Sequence, residues 1–526
     1  MQIDVFLKGE FPAKFRKLTN SISEFLQLLK DANSSKLHYT FISPDEEMPD
    51  AGGRTYADTL TSMGAYPINL KAQVKTGESS SYAYPYAVIH YKGKSELVTL
   101  FTVPPMSAGN NDLPEKVINS AEALLEYQFA SAIDKLYQPR KPAIAYSIGN
   151  GEPVDGRTFD LRNTLQEGYE LKTLNLLVQP RVPEGVDVLM IVKPAQQFTE
   201  AEKLKIDQFV MGGGKLICFI DNLIAEQDSL AIKPETIAYD RNLNLTDLFF
   251  RYGVRINTDL VMDLRCDLIP IVVGGSSDNP QLQFLSWNYY PLLSSVAGLN
   301  KNLGYVGARF ANSLDTIEVK DVTKKPLLVT SPNSRIIATP ALISLNENKN
   351  APEDEKFKRN AIPVAMLLEG KFTSLFRNRV AKSQLDSLTA AGIPFQNNSA
   401  DNKMIVVGDG DIVLNEFGRN PENGEPVPLQ MGWNRYTYTE YQKQSEMANL
   451  FIPAANRQFL LNCLEYLVKN PAISETRNKD IVLRLLDSKK VNAQKSTWQW
   501  LNIAAPILLV ILAGWIYQQV RKNKYA

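Results

Sequence analysis

The stretch TEAEKLKIDQFVMGGGKLICFIDN, residues 199 to 222, decides the fold class. Thr199 and Glu202 have the spacing of a capping box, which predicts that a helix begins here. Gly212 to Gly214 end that helix, and Lys215 to Ile220 form a continuous apolar run. A helix followed by such a strand is typical of an α/β fold with a parallel sheet. The order also excludes a nucleotide P-loop, in which a strand precedes the glycines and a helix follows.

The segments on both sides extend this pattern. The predicted strands are Ala143 to Ile148, Glu170 to Leu174, Val186 to Val192 and Met404 to Val407, and the predicted helices are Arg157 to Leu165 and Pro453 to Lys469. We therefore predict one α/β domain with insertions over residues 139–470.

Residues 1–138 are predicted to form a separate, smaller domain. Short apolar strands and amphipathic helices alternate there in the order βαβαββα, which is that of the thioredoxin fold. The segment contains no cysteine, so the pattern predicts a thioredoxin-like scaffold without thiol redox chemistry.

The end of the chain carries the signature of a membrane helix. Residues 498–520 contain no charged side chain and are long enough to cross a bilayer. Residues 471–497 are predicted to be a stalk, and residues 521–526 a basic tail. Aromatic residues predicted to lie at the two membrane interfaces are Trp498, Trp500, Trp515 and Tyr517.

The amino terminus, MQIDVFLKGEF, predicts a strand and carries neither a signal peptide nor a first membrane helix. The prediction is thus a tail-anchored chain. Basic residues flank residues 498–520 on both sides, so charge leaves the membrane orientation open.

Composition argues against several function classes. Lys and Arg together number 57, as do Asp and Glu, and the lysines are scattered, so nucleic acid is not a predicted partner. The cysteines, Cys218, Cys266 and Cys463, form no CxxC motif. Cys218 lies inside an apolar strand, and the two histidines, His38 and His90, lie far upstream. We predict no catalytic residue, metal or cofactor.

A candidate ligand edge lies where two strands end. Asp221 and Asn222 follow one strand, and the sequence GDGD, with Asp409 and Asp411, follows another. Ligands of open α/β sheets bind at the carboxyl ends of strands, and carboxylates suit hard cations. Acidic turns after strands are also common as structural elements, so both readings remain open.

Four phrases carry a resemblance to a known family. They are VFLKGEFPAKFRKL at 5–18, FTEAEKLKIDQFVMGGGKLICFIDN at 198–222, YGVRINTDLVMD at 252–263 and RLLDSKKVNAQKSTWQWLNIAAP at 484–506. In this order they resemble the GldG family of gliding-motility-associated ABC transporter auxiliary proteins.

The resemblance implies a protein of the inner (cytoplasmic) membrane, with most of the chain in the periplasm, that works with an ABC permease and a separate ATPase. It also implies an amidotransferase-like, Rossmannoid domain of the GIFT type that lacks a catalytic cysteine. The expected function is a non-enzymatic accessory subunit associated with gliding motility or secretion. Alternatives are a solute-binding receptor and a membrane-tethered amidotransferase-like hydrolase.

Overall fold

A computed structural model gives the structure of the protein. It describes residues 1–9, 11–49, 53–65, 67–74, 77–101, 115–225, 230, 233–276, 279–296, 303–345, 354–380, 394–420, 423–437, 454–468, 473, 476 and 488–525. The chain forms two compact units, Met1–Lys479 and Asp480–Ala526, and each is described by itself.

The strands of the first unit are numbered in chain order. They are β1 Gln2–Val5, β2 His38–Phe41, β3 Ile68–Val74, β4 Gly77–Ala83, β5 Tyr86–Tyr91, β6 Lys94–Thr99, β7 Ala143–Ile148, β8 Glu170–Asn175, β9 Val188–Val192, β10 Lys215–Phe219, β11 Leu223–Ile224, β12 Glu235–Asp240, β13 Val254–Ile256, β14 Asp259–Asp263, β15 Cys266–Ser276, β16 Asn279–Ser295, β17 Val306–Gly307, β18 Leu314–Thr316, β19 Val322–Val329, β20 Ser334–Ala338, β21 Ala341–Ser344, β22 Pro363–Thr373, β23 Asn398–Val407, β24 Phe417–Arg419 and β25 Pro426–Pro428.

The α-helices are numbered in the same way. They are α1 Ala13–Ala32, α2 Tyr56–Ser62, α3 Glu115–Tyr137, α4 Phe159–Gly168, α5 Glu200–Met211, α6 Thr246–Tyr252 and α7 Asn456–Val468 in the first unit, and α8 Ser488–Tyr525 in the second.

A four-stranded sheet near the amino terminus has the order β2-β1-β5-β6. β1 runs parallel to β2 and antiparallel to β5, and β5 runs antiparallel to β6. One face of α1 is buried through Phe15, Leu18 and Ile22, in the same apolar cluster as Phe129 of α3. The apolar residues of α1 recur at helical spacing, which is why one stripe of this helix faces the core.

The β3–β4 hairpin is an addition to the predicted order βαβαββα. β4 ends at Ala83 and β5 begins at Tyr86, with Pro85 between them, because proline cannot donate a ladder hydrogen bond.

A larger sheet contains ten strands in the order β15-β16-β19-β22-β23-β10-β9-β7-β8, with β17 paired to β16. β23, β10, β9, β7 and β8 run parallel, and the strands from β22 to β15 pair antiparallel. The parallel half matches the predicted strands closely. The antiparallel half, drawn from the chain between β10 and β23, extends the sheet.

Helices cover both faces of the parallel strands. Along β9, Val188 and Met190 belong to an apolar cluster shared with α7, whereas Leu189 and Ile191 belong to a cluster shared with α5. Alternate side chains thus enter opposite cores, which explains why this strand is apolar throughout. The mixed α/β class is therefore confirmed.

The second unit contains α8. Within it, Leu501–Lys524 is a candidate membrane span of 24 residues, long enough and apolar enough in composition to cross a membrane. Leu509, Val510 and Trp515 expose more than half of their side-chain surface. The predicted stalk, 471–497, lies largely outside the described residues, and so do the side chains of Trp498 and Trp500.

Candidate functional site

The predicted ligand-edge residues meet at one edge of the ten-stranded sheet. β9, β10 and β23 are parallel neighbours, so their carboxyl ends lie together. Asp221 follows β10, and Asp409 and Asp411 follow β23. We name Asp221, Asp409 and Asp411 the acidic cluster. One oxygen from each carboxylate lies within 4.8 Å of the others.

Lys193, which follows β9, lies among these carboxylates. Its Nζ is 2.7 and 2.8 Å from the two carboxylate oxygens of Asp411 and 3.1 Å from Oδ2 of Asp221. The lysine is buried and has a positive φ of 44°. Non-glycine residues rarely adopt this backbone conformation, so the fold holds the ammonium in place at some local cost.

Backbone amides satisfy the remaining carboxylate oxygens. Asp409 accepts hydrogen bonds from the amides of Arg309 at 2.6 Å and Asp411 at 2.7 Å, and Asp221 accepts one from the amide of Gly410. The acidic turn is therefore tied to β10 and to the loop that carries Arg309.

Asn222 has a similar anchoring position. Its amide donates to Oδ1 of Asn312 at 2.7 Å, and its side chain donates to the carbonyl of Ile256 at 3.3 Å. Asn312 in turn donates to the carbonyl of Asp259 at 2.6 Å. The predicted ligand residue thus joins β10 to β13 and β14.

The surroundings shift the pKa values of Asp409 and Asp411 in opposite directions. Burial, reinforced by Asp221 and Asp411, raises the pKa of Asp409 well above its ordinary value. Burial also opposes ionisation of Asp411, but Lys193 and Arg309 outweigh it and lower the pKa of Asp411. Neighbouring carboxylates with divergent pKa values are frequent at functional sites and in structural ion-pair networks alike.

The glycines of GDGD are required by close packing. A Cβ at position 408 would lie 2.5 Å from the carbonyl oxygen of Asn312, and one at position 410 would lie 2.6 Å from Cβ of Lys193. Both distances are shorter than real carbon contacts, so the pattern reflects a crowded turn.

A small cavity of about 20 Å³ adjoins Arg309 and Asp411. Such a space holds about one water molecule. Arg309 itself pairs with Glu416 at 2.9 Å and lies 5.3 Å from the ring centroid of Tyr290. The immediate surroundings of the acidic cluster are thus closely packed.

Other singled-out residues lie elsewhere. Cys218 is completely buried in β10, and burial raises the pKa of its thiol. His38 and His90 both lie opposite Gln2 in the four-stranded sheet. Nδ1 of His90 lies 2.8 Å from Ser95 Oγ. The structure therefore places the histidines and Cys218 in different sheets.

The aromatic patch around Trp287 belongs to the core. Trp287, Tyr289 and Tyr290 are buried, with ring centroids 5.2 and 4.7 Å from Trp287. Nε1 of Trp287 donates to the carbonyl of Ser344 at 3.0 Å. These aromatic side chains therefore pack inside the first unit and form no exposed surface.

Sequence reasoning missed Lys193, Arg309 and Asn312. Each is far in sequence from the residues that it contacts, and none lies in a recognisable motif. Only the folded sheet brings them together.

Comparison with known proteins gives the family. A family model described as "ABC-type uncharacterized transport system" and named for ABC transporter auxiliary proteins matches residues 141–450, more than half of the chain. The chain belongs to this family. Residues 1–90 match a second model, described as a domain of unknown function (DUF7088).

Comparisons with single proteins give less information than the family models. An uncharacterised protein of Borreliella burgdorferi is 22% identical over 386 residues, 72% of this chain and 69% of the relative. The N-terminal domain of mmIFT52 is 14% identical and covers 52% of this chain and 88% of its own, with a TM-score of 0.29. The exo-beta-1,4-mannosidase Op5Man5 from an Opitutaceae bacterium is 11% identical, with coverage of 55% and 34% and a TM-score of 0.19. Likenesses this weak carry no argument about fold or activity.

Proposed function

We propose that this protein is a non-enzymatic, membrane-anchored accessory subunit of an ABC transporter, of the GldG type and associated with gliding motility or secretion. The family match over residues 141–450 is the observation that carries the proposal. The proposed partners are an ABC permease and a separate ATPase.

The tether in this proposal is α8. Its candidate span of 24 residues, Leu501–Lys524, is about 36 Å long at the usual helical rise, enough for the hydrocarbon core. Trp515 and Tyr517 are exposed and would lie near one interface. We place the chain in the inner membrane with its large unit in the periplasm.

Extraction of membranes with alkaline carbonate tests the tether. The full chain is expected in the pellet and a chain that ends at Lys495 in the supernatant; equal retention of both would refute the tether.

Protease digestion of spheroplasts, compared with lysed cells, tests the orientation. Protection of the large unit in intact spheroplasts would contradict the periplasmic placement.

The domain assignments are part of the proposal. The order β2-β1-β5-β6, with its parallel and antiparallel pairings, supports a thioredoxin-like domain over residues 1–138. The parallel strands flanked by α4, α5 and α7 support an amidotransferase-like, GIFT-type domain over residues 139–470.

The non-enzymatic role is supported by the burial of Cys218, the candidate nucleophile of an amidotransferase-like hydrolase. A thiol is reactive as the thiolate, and burial of Cys218 disfavours that form.

We further propose that the acidic cluster joins strands rather than binding a cation, because the ammonium of Lys193 already lies where a cation would bind.

A solute-binding receptor remains the second candidate, and the proximity of Asp221, Asp409 and Asp411 favours it. Mg²⁺ and Ca²⁺ are the probes. A rise in melting temperature on adding either ion, lost in an Asp411→Asn variant, would support the receptor and overturn the structural role.

Chemical cross-linking in native membranes tests the partnership. We expect lysine cross-links from residues 1–479 to an ABC permease, identified by mass spectrometry. Cross-links only to proteins outside any ABC system would refute the accessory role.

A further inference from the structure

A groove of about 890 Å³ lies at the opposite edge of the sheet from the acidic cluster. Its lining includes Pro142 just before β7, Asp187 just before β9 and Lys215 at the start of β10. These positions mark the amino ends of the parallel strands. The volume lies within the range of small-molecule sites in proteins.

Apolar side chains and small residues form the walls. Leu204 and Phe209 project from α5, and Leu467 lies near the end of α7. Gly214 lines the groove with its backbone. A Cβ at this position would lie 2.3 Å from the ring of Phe209. Glycine therefore allows the Phe209 ring to pack against the chain reversal beside the groove.

Two ion pairs at the groove neutralise themselves. Arg140 makes a bidentate contact with Asp187, at 2.7 and 2.9 Å. Arg181 pairs with Glu184 at 2.8 Å. Neither pair leaves a net charge for a ligand.

Two lysines of the groove lining, Lys205 and Lys215, differ from these arginines because they bind uncharged acceptors. Nζ of Lys205 donates to the carbonyl of Leu176 at 2.6 Å, and Nζ of Lys215 donates to Oδ1 of Asn402 at 2.5 Å. Both acceptors are uncharged. Within the described part of the chain, neither ammonium has a carboxylate at ion-pair distance. The groove lining contains four cationic and two anionic side chains, which is an excess of two positive charges.

Lys215 is the stronger recognition element. Burial, with a contribution from Lys403, lowers its pKa, so an anion near its Nζ would relieve an unfavourable environment. An uncharged apolar ligand would leave this ammonium uncompensated. The groove thus combines apolar walls with a cation that lacks an anionic partner.

We propose that the groove binds an aliphatic monocarboxylate, with its carboxylate at Lys215 and its chain along Leu204 and Phe209. Charge complementarity and the apolar lining together specify this class of ligand. The inference goes beyond the accessory role, and binding by the isolated protein tests it without any transporter subunit.

Calorimetry on the full chain in nanodiscs, with empty nanodiscs subtracted, is the test. Decanoate is the probe, and decan-1-ol is its uncharged counterpart. Lys215→Met is expected to weaken decanoate binding about tenfold or more, as for the loss of a charge-assisted hydrogen bond. It should leave decan-1-ol binding unchanged. Lys320→Met, at an exposed lysine outside the groove, is the matched control and should bind both probes like the wild type.

Two further variants keep the test decisive. Lys215→Gln replaces Lys215→Met if that chain fails to fold, and Ala201→Trp, at an exposed lining residue of α5, should block both probes. Equal decanoate binding by the wild type, the position 215 variant and Ala201→Trp would overturn the proposal. Binding of an acidic apolar octapeptide, with no binding of decanoate, would also overturn it and indicate a peptide groove instead.

Discussion

Replacement of Lys193 by methionine tests the internal neutralisation of the acidic cluster. Methionine keeps an unbranched side chain only one heavy atom shorter and removes the ammonium that lies 2.7 Å from Asp411 and 3.1 Å from Asp221. At these distances each attraction is worth about 5–6 kcal/mol at an effective dielectric constant near 20, before desolvation is subtracted. Removing one partner of a buried pair costs about 3–5 kcal/mol, because the other charge is left uncompensated.

Thermal unfolding of the full chain in detergent, followed by intrinsic fluorescence, measures this loss. At roughly 2 °C per kcal/mol, Lys193→Met should lower the melting temperature by about 6–10 °C. Lys172→Met is the control, since Lys172 pairs with Glu170 at 3.1 Å on the surface and such pairs contribute about 0–1 kcal/mol. Equal melting temperatures for Lys193→Met and the wild type would refute the reasoning.

The remaining predictions concern the turn, the thiols and pH. Gly408→Ala should lower the melting temperature because its Cβ would clash with a carbonyl oxygen, whereas Gly168→Ala, with open space around it, should not; thermal unfolding of both variants compares them. A thiol reagent at neutral pH should leave Cys218 unlabelled in the folded chain and label it after denaturation, and rapid native labelling would contradict its burial. The folded pKa of Asp411 lies below its ordinary value, so its stabilisation is complete above about pH 4 and is lost as the pH falls through that lower pKa. Asp411→Asn should therefore unfold with a shallower acid-side slope in melting temperature than the wild type, and an unchanged slope would contradict the shift.

Much of the parallel sheet could be predicted because its signals are local. Ala143–Ile148 was predicted residue for residue, and Thr199 caps α5 through the predicted box with Glu202. Gly213 adopts a positive φ of 94° at the predicted chain reversal. Capping and continuous apolar runs depend on neighbours in sequence, so one sequence is enough to recognise them.

The antiparallel half of the sheet was not predictable in the same way. β19 contains Lys324, Lys325 and Pro326, and it pairs with β22 some forty residues later. Proline and charged residues are unfavourable for a central strand, and tertiary pairing overrides that preference here. Register shifts near Pro326 accommodate the proline.

The candidate site, like the sheet, could be predicted only in part. The meeting of Asp221 and Asp409 followed from the rule that parallel strands end at a common edge. Lys193 also follows a parallel strand, but its contact with Asp411 was missed because a single lysine belongs to no motif that marks it as a partner of these carboxylates. A site made of residues from three strands requires the fold before its electrostatics can be judged.

Isolation of the full-length protein from native membranes in mild detergent, followed by identification of the chains that co-elute, tests the central claim most directly. The accessory role predicts that an ABC permease and its ATPase co-elute with the full chain and not with a chain that ends at Lys495. Recovery of the intact full-length protein from those membranes without either subunit would contradict it.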